Sequence, residues 1–237
     1  MEPVTVTATP SYFSDTLSLY NDSMSETNPK LIKVAPTTHL PTRKSERTRA
    51  AILNGALEFL WTRPFREMTV GELMSITGVS RSAFYQYFKD LHEPMETLLQ
   101  DAAEDINEAT ESWFNGEGDP TKLIEQSLSR LVEVCYERGP IFRAVAEAAT
   151  GDERLERTWA AFLTQFDDAI YERIEEHQKA GLILEFDARP VAVALNRLNV
   201  SMVIDAFGRH PRNNPEPVRL ALIRIWMSTL YHSTYID

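Results

Sequence analysis

Between Thr69 and Phe88 the sequence opens a helix, closes it and opens another within 20 residues. Thr69-Val70-Gly71-Glu72 has the spacing of a capping box, in which the hydroxyl and the carboxylate satisfy free amides at a helix start. Thr77-Gly78 closes that helix, because glycine adopts the left-handed backbone of a tight helix end, and Ser80 is a good N-cap for the next. Upstream, Ile52, Leu53, Ala56, Leu57, Leu60 and Trp61 recur at helical spacing on one face, and Arg63-Pro64 stops that first helix. Helix, short helix, glycine turn and short helix make a helix-turn-helix, which presents the outer face of its last helix to the major groove of DNA. The spacing turns Val79, Ala83 and Phe84 inward onto Leu73, Ile76 and the first helix, and turns Arg81, Ser82, Tyr85 and Gln86 outward.

The rest of the chain carries the same periodicity, broken by clear punctuation. Helical segments run from about Glu93 to Phe114, from Asp119-Pro120 to a break at Gly139-Pro140, from there to Gly151, and on to Ala180-Gly181. Asp187 and Asn214-Pro215 cap the last two. Strand-type alternation is absent, so the expected fold is all-α with about nine helices. Residues 1–40 contain seven Thr, five Ser and four Pro without periodicity, which predicts a flexible leader over 1–42. A helix-turn-helix DNA-binding domain over 43–91 and a larger helical domain over 92–237 follow.

Net charge is −11, which by itself argues against nucleic acid, but its distribution reverses the inference. Residues 43–92 hold eight basic against five acidic side chains, a balance of +3, whereas residues 93–237 hold 14 against 26, a balance of −12. One end is suited to phosphates and the rest to staying off them. Arg81 and Gln86 suit base edges; Thr69, Ser80, Ser82, Tyr85, Tyr87 and Lys89, with the basic start Arg43, Lys44 and Arg47, suit bases or backbone phosphates. The histidines 39, 92, 177, 210 and 232 form no metal-spaced pair and no phosphate-cradling glycine loop appears, so no catalytic residue, cofactor or metal is expected. The lone Cys135 excludes an internal disulfide, and apolar runs such as Val191 to Leu195 fall well short of the about 20 residues that a membrane span needs, so a cytoplasmic protein is expected. The rival readings are a helical ligand- or protein-binding module without DNA affinity and an enzyme.

Ile52-Leu53-x-x-Ala56-Leu57-x-x-Leu60, Met68-Thr69-Val70 and Gly78-Val79-Ser80-Arg81-Ser82-Ala83-Phe84-Tyr85-Gln86-Tyr87-Phe88 together resemble the tetracycline-repressor (TetR) family over about 45 residues. Two departures stand out: Ala83 replaces a usual threonine, and Leu91-His92-Glu93-Pro94 replaces the usual serine-lysine-glutamate start of the fourth helix, so the family's phosphate anchoring does not carry over there. Ala194-Leu195-Asn196-x-Leu198-Asn199, Thr158-Trp159-x-x-Phe162 and Ile225-Trp226-x-x-x-x-Tyr231 resemble, within that family, the mycobacterial ethionamide-resistance type. The resemblance implies a repressor that binds a palindromic operator as a homodimer and is released by a small, largely apolar effector. It also implies an effector cavity at Trp159, Phe162, Asn196, Asn199 and Trp226, with Phe142 and Phe166 beside them. Large aromatics with a few polar groups are what an apolar pocket requires. Val193, Val200, Val203, Ile204 and Phe207 of the penultimate helix and Val218, Leu222, Ile225 and Thr229 of the last supply an apolar face for a homodimer through these two helices.

Overall fold

The computed structural model describes residues 43–232, all within one compact unit that spans 41–237. The leader expected over 1–42 lies outside the described residues, and of Arg43 only the backbone is described. The described residues form eight α-helices and no strand: α1 (Arg43–Thr62), α2 (Val70–Thr77), α3 (Arg81–Tyr87), α4 (His92–Asn115), α5 (Pro120–Ala149), α6 (Glu153–Lys179), α7 (Ala188–Phe207) and α8 (Pro215–Leu230), with a single 3₁₀ turn at Phe65–Glu67.

Local signals set most of these ends. Thr69 accepts a hydrogen bond from Glu72 N, Asp119 from Thr121 N, Asp152 from Arg154 N and Leu155 N, Asp187 from Arg189 N and Asn214 from Glu216 N. Gly78 closes α2 at φ 69°, a left-handed conformation that side chains with a Cβ adopt only with strain. The capping box forms only in part. The Glu72 carboxylate turns to the Thr69 hydroxyl (2.9 Å) and to Arg63 (2.7 Å), whose charge is the stronger partner, and not to the Thr69 amide.

The expected break at Gly139-Pro140 does not occur. Pro140 lies inside α5, which runs on for another nine residues. The reason is tertiary: Gly139 faces the end of α7, where a Cβ would run into the Phe207 carbonyl oxygen, so glycine here permits a close helix contact instead of ending a helix.

One continuous apolar core runs from Ile52 to Leu230, and α5 lies at its centre, packed on α4, α6, α7 and α8. Ile76, expected inside, is 48% exposed at the rim of the α1–α2 contact. By length and composition α7 is apolar enough to cross a bilayer, yet it packs on α5, α6 and α8, and less than half of it is buried within the protomer.

Candidate DNA-reading face and ligand cavity

The reader is built around Phe84, which is fully buried, meets Phe88 at 5.8 Å between ring centroids and anchors α3 to the core. With Phe84 inward, the opposite face of α3 is necessarily outward: Arg81, Ser82, Tyr85 and Gln86 are all exposed. The Arg81 guanidinium lies 6.0 Å from the Tyr85 ring centre, and among the described residues it faces no carboxylate. It is a cation held ready for an external acceptor. Thr69 accepts from Glu72 N at 3.2 Å and gives its proton to the Glu72 carboxylate at 2.9 Å, so its hydroxyl is spent within the cap. Ser80 accepts from Ala83 N at 3.2 Å and shares one proton with the Ser82 hydroxyl at 3.1 Å, which leaves the pair one proton for a phosphate. Lys44 and Arg47 are exposed on the first turns of α1. Lys89 is exposed beside Glu93 at 3.7 Å, and Tyr87 is half-buried against the core. The His92 ring, in the stretch that departs from the family pattern, bonds Asp152 at 2.6 Å, and this holds the Asp152 carboxyl below its usual range. It is an internal strut between α4 and the start of α6.

The second feature is a cavity enclosed by α4, α5, α6, α7 and α8. It is narrow: of about 660 Å³ of atom-free space that includes its opening to solvent, about 60 Å³ can take the centre of a water molecule, so an effector enters only as the walls move apart. Phe142, Phe162, Phe166, Asn196, Asn199 and Trp226 all line it. Trp159 is half-buried and does not: it stacks on Phe162 at 5.3 Å and 10°, backing the wall instead of forming it. The pattern overlooked the α4 contribution, above all Thr110 and Trp113, along with Cys135 of α5. Aromatic and small residues at helical spacing look the same whether they meet side chains or a void.

Polar groups in the cavity are few, and their bonding determines what they can still do. Asn196 Nδ2 donates to Asp167 Oδ1 (2.7 Å) and to Leu163 O (3.0 Å), both pure acceptors, so its Oδ1 is the end left over. Trp226 Nε1 donates to Asn199 Oδ1 at 2.9 Å, so there Nδ2 is left over. Among the described residues neither remaining atom has a partner. The two asparagines therefore offer one acceptor and one donor group, three residues apart on α7, while the Thr110 hydroxyl gives its proton to Ile106 O at 2.7 Å. Asp167 is almost wholly buried and is balanced by Arg197 at 2.8 and 3.0 Å. At the α4 end, Trp113 Nε1 donates to Tyr231 Oη (2.9 Å), which leaves the phenol proton for His177 Nδ1, also 2.9 Å away. Burial pushes Tyr231 up to about 12 and lowers His177 below its ordinary value. Cys135 is pushed up to about 12 by burial alone, so its thiol stays protonated and inert.

Part of the apolar face expected for dimerisation is claimed by the protomer itself: Val203, Phe207 and Leu222 are core residues. Val193, Ile204, Val218, Ile225 and Thr229 stay half-exposed, Leu220 of α8 is 46% exposed, and Val200 is half-exposed while also lining the cavity. Among the described residues no group of His, Cys, Asp and Glu could hold a metal ion.

Comparison with known proteins gives two family matches. Residues 52–90 match the model described as bacterial regulatory proteins, tetR family, and residues 124–232 match that of the transcriptional regulator EthR, C-terminal domain. The HTH-type transcriptional regulator EthR of Mycolicibacterium smegmatis is 26% identical over 188 residues, covering 77% of this chain and 85% of that protein. Among solved structures, a TetR-family regulator from Syntrophomonas wolfei superposes with a TM-score of 0.67 at 15% identity, covering 78% of this chain and 95% of that one. NalD of Pseudomonas aeruginosa, the secondary repressor of the MexAB-OprM multidrug efflux pump, superposes with a TM-score of 0.62 at 18% identity, covering 81% and 100%. At these identities the two structures support the fold alone.

Proposed function

The chain is a TetR-family transcriptional regulator of the EthR type, and from that premise we propose that it is a homodimeric repressor whose hold on a palindromic operator is released by a small, largely apolar effector bound in the α4–α8 cavity. The family is one of transcriptional regulators, not of enzymes. The observation that carries the reading is the pairing, within one compact unit, of an unpaired Arg81 on the exposed face of α3 with an aromatic cavity lined by α4 to α8. Arg81 and Gln86 reach base edges, while Lys44, Arg47, Tyr85 and Lys89 hold the backbone, helped by the paired hydroxyls of Ser80 and Ser82 and by Tyr87; Thr69 joins them only by giving up its bond to Glu72. One recognition helix reads too few base pairs for specificity, and two related by a twofold axis read half-sites about 34 Å apart. The partly uncovered faces of α7 and α8 supply the dimer contact. A DNA reader of this kind works in the cytoplasm, where the chromosome is.

The cavity also narrows the effector chemistry. A head group that pairs with both Asn196 Oδ1 and Asn199 Nδ2 must donate and accept side by side, as an amide or an alcohol does, and the remainder must be apolar. Induction follows if the effector favours the state that does not bind DNA, and reciprocity then requires operator to weaken effector binding by the same factor. The test is binding of the purified protein to its own upstream DNA, against scrambled duplex, across a salt series. Specific binding that weakens steeply with salt supports the reader, because phosphate contacts release counterions. Indifference to both duplexes at low salt overturns it.

A further inference from the structure

Two prolines leave two gaps in the helices that meet behind the reader, and two arginines fill them. Leu60 O lies at the end of α1, four residues before Pro64, which has no N–H to offer it. Arg143 Nη2, from α5, donates to that oxygen at 2.5 Å. The same guanidinium donates through Nε to Gly208 O, just past α7, at 2.8 Å and through Nη1 to Glu147 at 2.9 Å. Arg143 is only 5% exposed, and its charge is balanced by the Glu147 carboxylate together with two helix ends whose carbonyls carry negative partial charge. Inside α5, Pro140 likewise frees Tyr136 O, and Arg212 Nη1 donates to it at 2.7 Å. The Arg212 guanidinium lies 3.8 Å from the Tyr136 ring centre and 5.0 Å from that of Trp61, which is stacked on His210 at 4.2 Å.

This joint touches the cavity directly. Phe142, next to Arg143, lines the cavity and packs on Phe162 at 5.7 Å. The stretch of α5 between Tyr136 and Arg143 lacks one helical hydrogen bond, so it bends more readily than an intact helix. Its replacement bond comes from Arg212 of the α7–α8 loop, and Arg143 ties the same stretch to the end of α1 and to the residue just past α7. We propose that Arg143 is the positioning residue through which a filled cavity moves the reader: displacement of Phe142 draws the guanidinium off Leu60 O and frees the end of α1, which carries α2 and α3 with it through the shared core. The proposal rests on the ligand-responsive reading above. Hydrogen bonds weaken steeply with misalignment, so a guanidinium fixed at three points responds to small displacements.

Cys135→Phe fills the cavity without any ligand, since Cys135 lines it and has no hydrogen bond there among the described residues. Fluorotryptophan labelling gives four signals, of which Trp61 reports the joint and Trp113 and Trp226 report the cavity. In the C135F protein the Trp61 signal shifts along with the cavity signals, and affinity for the upstream duplex falls about tenfold. In the Arg143→Met background, C135F still moves the cavity signals but leaves Trp61 in place and changes affinity less than twofold. Arg143→Lys keeps the charge, reaches one carbonyl but not both, and retains less than half of the Trp61 shift; it serves if R143M does not fold. A Trp61 shift of equal size with and without Arg143, or cavity signals that move while Trp61 does not, overturns the proposal. The fluorine readout needs no DNA, so failure of duplex binding with the Trp61 pattern intact removes the DNA reading and leaves the joint standing.

Discussion

Replacing Gly139 by alanine sets two effects of opposite sign against each other. In a helix interior alanine is favoured over glycine by about 1 kcal/mol, and Gly139 lies well inside α5. Against this, the new Cβ would run into Phe207 O, with Phe207 C at 2.6 Å and Phe207 Cβ at 2.9 Å. Two of these three atoms are backbone, and that backbone is anchored, because Gly208 N bonds Ile204 O at 2.9 Å and Gly208 O receives Arg143. The contact is relieved only by parting α5 from α7, an overpacking cost of about 3 kcal/mol at the upper end of the usual range. The difference leaves G139A less stable by about 2 kcal/mol, a fall of roughly 4–8 °C in Tm for a domain of this size. Urea unfolding followed by far-ultraviolet circular dichroism, with both proteins at one concentration because dimer stability depends on it, measures the change. An alanine variant as stable as the parent, or more so, refutes the reasoning: α5 and α7 would then part without cost, and the cavity wall they share would be loose.

The reader makes two predictions. Arg81→Ala should lower affinity for the specific duplex by about 1–3 kcal/mol with thermal unfolding unchanged, and Lys44→Ala should weaken specific and scrambled duplexes alike and reduce the salt slope by about one, both read by fluorescence anisotropy. In the cavity, Trp226→Phe leaves Asn199 Oδ1 without its indole donor and should destabilise the fold by about 1–3 kcal/mol, checked by the same urea assay. The buried His177, lowered first by burial and then by the Arg173 charge, should make stability fall as pH drops. A folded value below the unfolded 6.5 means that the unfolded chain takes up the proton first, so stability is intact above that pH and is lost as pH falls from there toward the folded value. Tm measured from pH 7.5 to 5 should drop less steeply in His177→Gln, and equal slopes would refute this.

The reader was legible because its signals are local. Thr69, Gly78 and Ser80 each act on backbone within three or four residues, so spacing alone gives α2, the turn and α3. The asparagine pair was legible as a pair, but not what each amide could still bond. That depends on Asp167 of α6 and Trp226 of α8, 29 and 27 residues away in sequence. Trp113 and Thr110 were hidden for a related reason: a core stripe and a cavity wall have the same periodicity, and only the distance between facing helices separates them. The two prolines show where local reading stops. Pro64 and Pro140 carry the same signal, a missing N–H and a ring that disfavours the preceding helical turn. At Pro64 the helix stops, and at Pro140 it continues. The difference lies in what surrounds each freed carbonyl. Tyr136 O receives Arg212 from 76 residues away, and Gly139 lets α7 press against the bend, so continuing α5 leaves no polar group unsatisfied and keeps its apolar face buried. Whether a proline ends a helix here is decided by which donor the rest of the fold can bring to the carbonyl it frees.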